Sequence, residues 1–66
     1  MYATERQAAI ERILDAEGRL VVVDLAERFD VTTETVRRDL ATLEQRGVLQ
    51  RVHGGAVAHG DRKSVV

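Results

Sequence analysis

Two adjacent arginines, Arg37 and Arg38, follow three threonines in the stretch 32–40. Apolar residues in and just after this stretch recur at the i, i+4, i+7 spacing of one helical stripe, namely Val36, Leu40 and Leu43. The hydroxyl of Thr32, ahead of the stripe, can accept a backbone N–H of a first helical turn. The pattern therefore predicts a helix over residues 33–46.

The face of this helix opposite the apolar stripe is polar. At about 100° per residue it consists of Thr33, Glu34, Arg37, Arg38, Ala41 and Gln45. Small hydroxyl residues followed by arginines at a helix N-terminus suit insertion into a DNA major groove, where the first turns approach base edges and phosphates. A solvated face with an i, i+4 ion pair between Glu34 and Arg38 would give the same pattern. The flanking segments must decide between these two interpretations.

The length and composition narrow the class of protein. Sixty-six residues without cysteine form one small domain with neither a disulfide framework nor a cysteine zinc site. No apolar run approaches the roughly 20 residues that span a membrane, and the N-terminus lacks the basic and then apolar order of a signal peptide. We therefore expect a soluble, cytoplasmic protein with no membrane partner.

The net charge of −1 hides an uneven distribution. Residues 1–30 hold seven acidic and four basic side chains, a balance of −3, whereas residues 31–66 hold four acidic and six basic ones, a balance of +2. The basic half contains the arginine helix. Because phosphate contacts need a local excess of arginine or lysine, this asymmetry favours a DNA-binding face in the second half.

A first helix is predicted from Thr4 to Glu17, with Thr4 as its N-cap and Gly18 as its C-terminal stop. Its apolar stripe consists of Ile10, Ile13 and Leu14. We interpret its polar residues, including Arg6 and Arg12, as a solvated face without a site, although Arg6 near the helix N-terminus could reach a phosphate.

A second helix is predicted over 22–29, where packing must replace the cap that Val21 cannot provide. Phe29 is expected to anchor the core between the three helices. The preceding triplet 19–21 is β-prone and can form a short strand if another strand pairs with it. Asp30 begins a three-residue turn and tolerates a left-handed backbone. Helices two and three are therefore expected to form a helix-turn-helix unit, although a plain helical hairpin in a three-helix bundle would give the same pattern.

After Gly47, two β-prone runs, 48–52 and 56–58, flank a Gly-Gly pair and predict a hairpin. A hairpin after a helix-turn-helix is a wing. The predicted fold class is therefore mainly α, a small α+β domain of three helices with a β-hairpin wing. Arg51 and His53 lie near the wing tip, where they can touch backbone phosphate or the minor groove.

Catalytic and metal sites find no support in the sequence. His53, His59 and the aspartates show no metal-ligand spacing. A catalytic base would need a nucleophile and a pocket, and neither is visible. We therefore expect no enzyme activity, no metal and no cofactor.

Several motifs together match one known family. They are Thr32–Leu40, Leu43-Glu44, Gly47–Leu49 and Arg51–Ala56, with Leu25–Phe29, Val31, Arg6 and Ile10 in the first two helices. In this combination they closely resemble the N-terminal DNA-binding domain of the DeoR family of bacterial transcription regulators. The resemblance covers about residues 4–58.

The resemblance implies a winged helix-turn-helix over residues 1–59 and the start of a linker at 60–66. It implies a repressor of sugar-uptake or sugar-catabolism genes, with a further C-terminal domain that binds a phosphorylated sugar and assembles a homo-oligomer. DNA contacts are then expected on the recognition helix and the wing, at Thr33, Thr35, Arg37, Arg38, Arg51, His53 and Gly54. Asp39 matches an acidic position of the motif and is expected to orient a neighbouring arginine or cap local structure.

A different class of function remains open at this point. The same winged fold could be a protein-interaction module in which the arginines meet an acidic partner. Basic groups on both the helix face and the wing tip favour double-stranded DNA as the partner.

Overall fold

The computed structural model describes residues 2–58, which form three helices and one three-stranded antiparallel sheet. In chain order the elements are α1 (Ala3–Glu17), β1 (Arg19–Val21), α2 (Val22–Phe29), α3 (Thr33–Gln45), β2 (Leu49–Val52) and β3 (Gly55–Ala58). The predicted winged three-helix fold is thereby confirmed. His59 and the predicted linker 60–66 lie outside the described residues. No helix in the described range is long and apolar enough to cross a membrane.

The first helix begins earlier than predicted. Its N-cap is Tyr2, whose extended backbone precedes Ala3, so the prediction of Thr4 as the cap is wrong. Glu5 lies at the third helical position and its Oε1 accepts the Tyr2 backbone N–H at 3.4 Å. This carboxylate contact and the strong helix propensity of Ala3 explain the extra residue without a hydroxyl cap. At the other end, Gly18 adopts a φ of 81° and its N–H bonds to the Leu14 carbonyl oxygen at 2.7 Å, as the predicted stop requires.

The turn between α2 and α3 has the predicted geometry. Asp30 lies in the left-handed region with φ 59° and ψ 48°. The Thr32 hydroxyl accepts the Thr35 backbone N–H at 3.2 Å and thereby caps α3. Val21 provides no side-chain cap for α2, and the Val22 N–H donates instead to the Gly54 carbonyl oxygen of the wing at 3.0 Å. The N-terminus of α2 is therefore anchored by a tertiary hydrogen bond.

The sheet joins the chain before α2 to the wing. Its strand order is β1-β3-β2, and the register pairs Leu20 with Ala56 and Leu49 with Ala58. The triplet 19–21 thus finds the partner that its prediction as a strand required. The wing turn is shorter than predicted, because Gly55 pairs with Val52 and Val21 inside the sheet and leaves only His53 and Gly54 in the turn.

The core lies between the three helices and the sheet. Its buried apolar side chains are Ile10, Leu14, Leu20, Val22, Leu25, Ala26, Val36, Leu40, Leu43, Leu49 and Ala56. Phe29 is only partly buried and packs against this cluster from outside, so its prediction as the central anchor is wrong. Because α2 is short and Phe29 is its last residue, Leu25 in the middle of the helix takes the central position.

Candidate nucleic-acid interface

The outward face of α3 carries both arginines of the central motif. Arg37 and Arg38 are exposed, and neither side chain forms an ion pair or hydrogen bond with any residue between 2 and 58. Their preceding neighbour Val36 is fully buried. The alternative i, i+4 ion pair between Glu34 and Arg38 is absent from the described part of the chain. Two guanidinium groups are thus exposed to solvent on a helix whose opposite side packs into the core.

The threonines at the start of α3 have different roles. Thr35 is half-buried, and its hydroxyl lies 3.0 Å from the Thr32 hydroxyl, with which it shares a hydrogen bond. This hydrogen bond to the capping residue leaves the Thr35 hydroxyl with less capacity to bind another partner. Thr33 is also half-buried, with no side-chain hydrogen bond to residues 2–58. Of the two threonines predicted to contact DNA, Thr33 has the less committed hydroxyl.

The wing lies beside α3 and forms a groove with it. The residues that line this helix–wing groove are Val22, Arg37, Leu40, Glu44, Arg51, Val52, Gly54 and Gly55. Three of the predicted site residues, Arg37, Arg51 and Gly54, are thereby brought together. Arg38 is exposed and does not line this groove, and His53 lines a separate groove on the β1 side of the wing.

Glu44 holds the wing against α3. Its Oε1 accepts the Arg51 Nε–H at 3.0 Å, and its Oε2 accepts the Arg51 backbone N–H at 3.2 Å. One carboxylate thus binds the side chain and the main chain of the same wing residue. Arg51, predicted as a DNA contact, is partly committed to Glu44 in the free domain.

The interpretation of Arg6 as a solvated residue is wrong. Its side chain is mostly buried, with 12% exposed. The Nε–H donates to Asp39 Oδ2, and a terminal N–H donates to Asp39 Oδ1 at 3.3 Å. Gln7 donates a further hydrogen bond to Oδ1 at 3.3 Å. The hydrogen bond to Asp39 raises the pKa of the Arg6 guanidinium above its ordinary value. Asp39 does orient an arginine, but one on α1 rather than on its own helix.

A family model for the DeoR-like helix-turn-helix domain matches residues 6–61, which is most of the chain and includes α3, the wing and Arg6. The chain belongs to the DeoR-like helix-turn-helix family. The resemblance drawn from its motifs is thereby confirmed.

Curated relatives of this DeoR-type domain are transcription regulators. The HTH-type transcriptional regulator GolR of Listeria innocua is 42% identical over 57 residues, covering 86% of this chain and 22% of the relative. The lactose phosphotransferase system repressor of Streptococcus mutans is 45% identical over 56 residues, covering 85% of this chain and 22% of the relative. The L-fucose operon activator of Haemophilus influenzae is 41% identical over 54 residues, covering 82% of this chain and 22% of the relative.

The DeoR-type domain thus spans about a fifth of the length of these three relatives. No solved structure gives a significant match to it. Its biochemical role is that of the helix-turn-helix DNA-binding domain of DeoR-type regulators.

The contact between Glu44 and Arg51 makes one of the attachments of the wing to α3 depend on pH. The hydrogen bond from the Arg51 backbone N–H, followed by that from its side chain, lowers the pKa of Glu44. Because the pKa is lower in the folded state than in the unfolded state, the stabilisation is complete above the ordinary glutamate pKa and is lost as the pH falls through the lowered value. An NMR titration of the Glu44 side-chain carboxyl carbon should give a midpoint below that of a glutamate in an unstructured peptide.

The variant Arg51→Ala should remove only part of this shift in the pKa of Glu44, since the backbone N–H of residue 51 still donates. A wild-type Glu44 that titrates at or above the peptide value would contradict the contact.

Sequence reasoning missed both ion pairs that the structure describes within residues 2–58. Arg6 and Asp39 lie 33 residues apart on different helices, so no local spacing connects them. Glu44 and Arg51 are seven residues apart but belong to a helix and a strand separated by a turn. The available signal was indirect, since both Arg6 and Asp39 lie at positions that match the family motif.

Proposed function

We propose that this DeoR-type domain reads double-stranded DNA sequence-specifically, with α3 in the major groove and the wing, residues 48–58, on the backbone or in the minor groove. The observation that carries the proposal is the pair of exposed arginines on the outward face of a capped helix beside a basic wing. The wing brings Arg51, which is paired with Glu44, to the groove that Arg37 lines. A phosphate in this groove would meet the guanidinium of Arg37 and a guanidinium of Arg51 whose charge is shared with Glu44.

The positions of the two arginines favour different roles. Arg38 lies on the face directed away from the core, where the guanidinium can form a bidentate contact with a guanine edge. Arg37 lies in the helix–wing groove with Arg51 and Gly54, where a DNA phosphate can lie between helix and wing. We assign base recognition to Arg38 and phosphate binding to Arg37. Thr33, Thr35 and His53 complete the proposed contact surface.

The regulated genes are proposed from the relatives. One is a lactose phosphotransferase system repressor and another a putative galactitol utilization operon repressor of Escherichia coli, although an L-fucose operon activator is also similar. We infer a cytoplasmic repressor of sugar-uptake or sugar-catabolism genes. A phosphorylated sugar bound by a C-terminal domain would release it from DNA, with residues 1–59 as the DNA-binding domain and 60–66 as the start of the linker.

Two half-sites are expected to act together in the whole regulator. A single winged domain contacts one half of a two-fold DNA site, called a half-site. When a second copy is linked to the first, it meets the other half-site at a raised effective concentration. We therefore expect the full-length regulator to be a homo-oligomer and this chain to bind weakly by itself.

The salt dependence of DNA binding tests the proposal. In fluorescence anisotropy against a pool of random duplexes, the chain should bind with a dissociation constant of roughly 10⁻⁴ to 10⁻⁶ M at physiological salt. Lowering the salt should tighten binding steeply, because each neutralised phosphate releases counterions. Selection from the same pool then yields the preferred half-site, here called the selected duplex.

A folded chain that binds no duplex even at low salt would contradict the proposal. The protein-interaction role of the winged fold would then be the better explanation.

A further inference from the structure

The carboxylate of Asp39 is unusual within residues 2–58 because it is the only buried charged side chain there. It lies on α3, immediately after the two exposed arginines, and is only 5% exposed. Its three hydrogen-bond donors, two from Arg6 and one from Gln7, all come from α1. A single turn of α1 therefore holds α3 at the residue next to its DNA-facing side.

The contact is directional. The Arg6 guanidinium presents two N–H groups to the two oxygens of Asp39, and this planar fork restricts orientation as well as distance. The apolar core to which α1 and α3 contribute, with Ile10 and Val36 among its buried side chains, is not directional in this way. The fork therefore selects one rotation of α3 about its axis among those that the apolar packing tolerates.

Stability alone does not account for such a pair. Apolar residues of similar volume often replace a buried ion pair without loss of stability, because the pair must first lose its hydration. Both side chains are well shielded, with 12% of the Arg6 side chain and 7% of the Asp39 side chain exposed. Specification of one arrangement is a role that buried pairs have in some proteins.

Rotation of α3 has a direct consequence at the DNA surface. Side-chain atoms lie about 6 Å from a helix axis, so a rotation of about 10° displaces them by about 1 Å. A displacement of about 1 Å takes a bidentate hydrogen bond out of its distance range. The geometry of Arg38 at a base edge therefore depends on the rotation that Asp39 sets.

We propose that Arg6 and Asp39 are positioning residues for DNA recognition, which fix the rotation of α3 without touching DNA. The inference rests on the proposed function of α3 as the recognition helix. Removal of the pair should reduce sequence-specific binding while the domain stays folded.

The test is the double variant Arg6→Met with Asp39→Leu, which removes one positive and one negative charge and leaves the net charge unchanged. Gln7 is half-buried, so its amide can turn to water when its partner is lost. We expect a melting temperature close to that of the wild type. Affinity for the selected duplex should fall roughly tenfold or more, the size of one lost bidentate base contact. Binding to random duplexes should change much less, because the charge is the same.

A second readout does not need DNA. Backbone N–H residual dipolar couplings report the orientation of α3 relative to α1, and those of the double variant should no longer fit the wild-type orientation. The control is Arg12→Gln with Asp15→Asn, which removes an exposed charge of each sign from the same helix. This control should keep the wild-type couplings and affinity.

A folded double variant with wild-type affinity and wild-type couplings would overturn the inference. If the double variant unfolds, Arg6→Lys replaces the fork by a single ammonium, and this variant should show a smaller loss of affinity in the same direction. Wild-type affinity in a folded Arg6→Lys variant would also count against the inference. A wild-type chain that binds no duplex would overturn the proposed function instead, and the dipolar couplings would still test the orientation of α3.

Discussion

Alanine at both Arg37 and Arg38 should weaken binding to the selected duplex by about two orders of magnitude and leave the fold intact. A bidentate contact between arginine and guanine contributes about 1–3 kcal/mol of discrimination, and a phosphate contact adds to it. Neither side chain forms an ion pair or hydrogen bond within residues 2–58, and both are exposed, so the free energy of unfolding should change by no more than about 0.5 kcal/mol. Anisotropy titrations and thermal melts measure the two quantities.

The single variants separate the two roles. Arg38→Ala should reduce the preference for the selected duplex over random duplexes, since it removes a base contact. Arg37→Ala should weaken binding to both and lower the slope of log affinity against log salt by about 1. Arg12→Ala, which removes an exposed arginine from α1, is the matched control for loss of charge. Folded variants at 37 and 38 that bind the selected duplex as tightly as the wild type would contradict the assignment of α3.

Alanine at Gly55 should lower the free energy of unfolding by about 3 kcal/mol or more. A Cβ at this position would lie 1.9 Å from the Leu20 carbonyl oxygen and 2.9 Å from its carbonyl carbon. Both atoms are backbone, so relief of the clash requires β1 to separate from β3. For a domain of this size the loss corresponds to a fall in melting temperature of about 12 °C or more, measured by circular dichroism.

The neighbouring Gly54 provides the control. It has a φ of 81° with no atom within 4 Å of an added Cβ, so alanine there meets only backbone strain. The cost should be about 1 kcal/mol. If Gly55→Ala melts within a few degrees of Gly54→Ala, then β1 and β3 do not approach as closely as described.

The two ion pairs connect the proposed DNA-binding surface to the rest of the domain. Arg6 with Asp39 joins α1 to α3, and Glu44 with Arg51 joins α3 to the wing. The helix α3, proposed above to read DNA, thus forms an ion pair through one of its own carboxylates on each side. Because Asp39 is buried behind the outward face of α3, its ion pair with Arg6 can remain in place in the proposed DNA complex.

Local signals predicted most of the secondary structure. The apolar stripes, the Thr32 cap, the stop at Gly18 and the left-handed Asp30 act through contacts within about four residues, so they can be recognised along the chain. The two errors arose because the hydroxyl of Thr4 does not decide the helix start and the aromatic ring of Phe29 does not decide the core centre. In the folded chain, the hydrogen bond between Tyr2 and Glu5 fixes the start of α1, and the core forms around Leu25 rather than around Phe29.

The amino-acid pattern thus determined the three helices, the wing, the arginine motif and the DeoR-like family. Only the tertiary structure shows which residues form the ion pairs, namely Arg6 with Asp39 and Glu44 with Arg51. It also shows the backbone clash that requires glycine at position 55. These contacts depend on how α1 crosses α3 and how the wing lies beside both. Packing of the shared core sets those angles, and its apolar contacts are too non-directional to specify them from residue spacing.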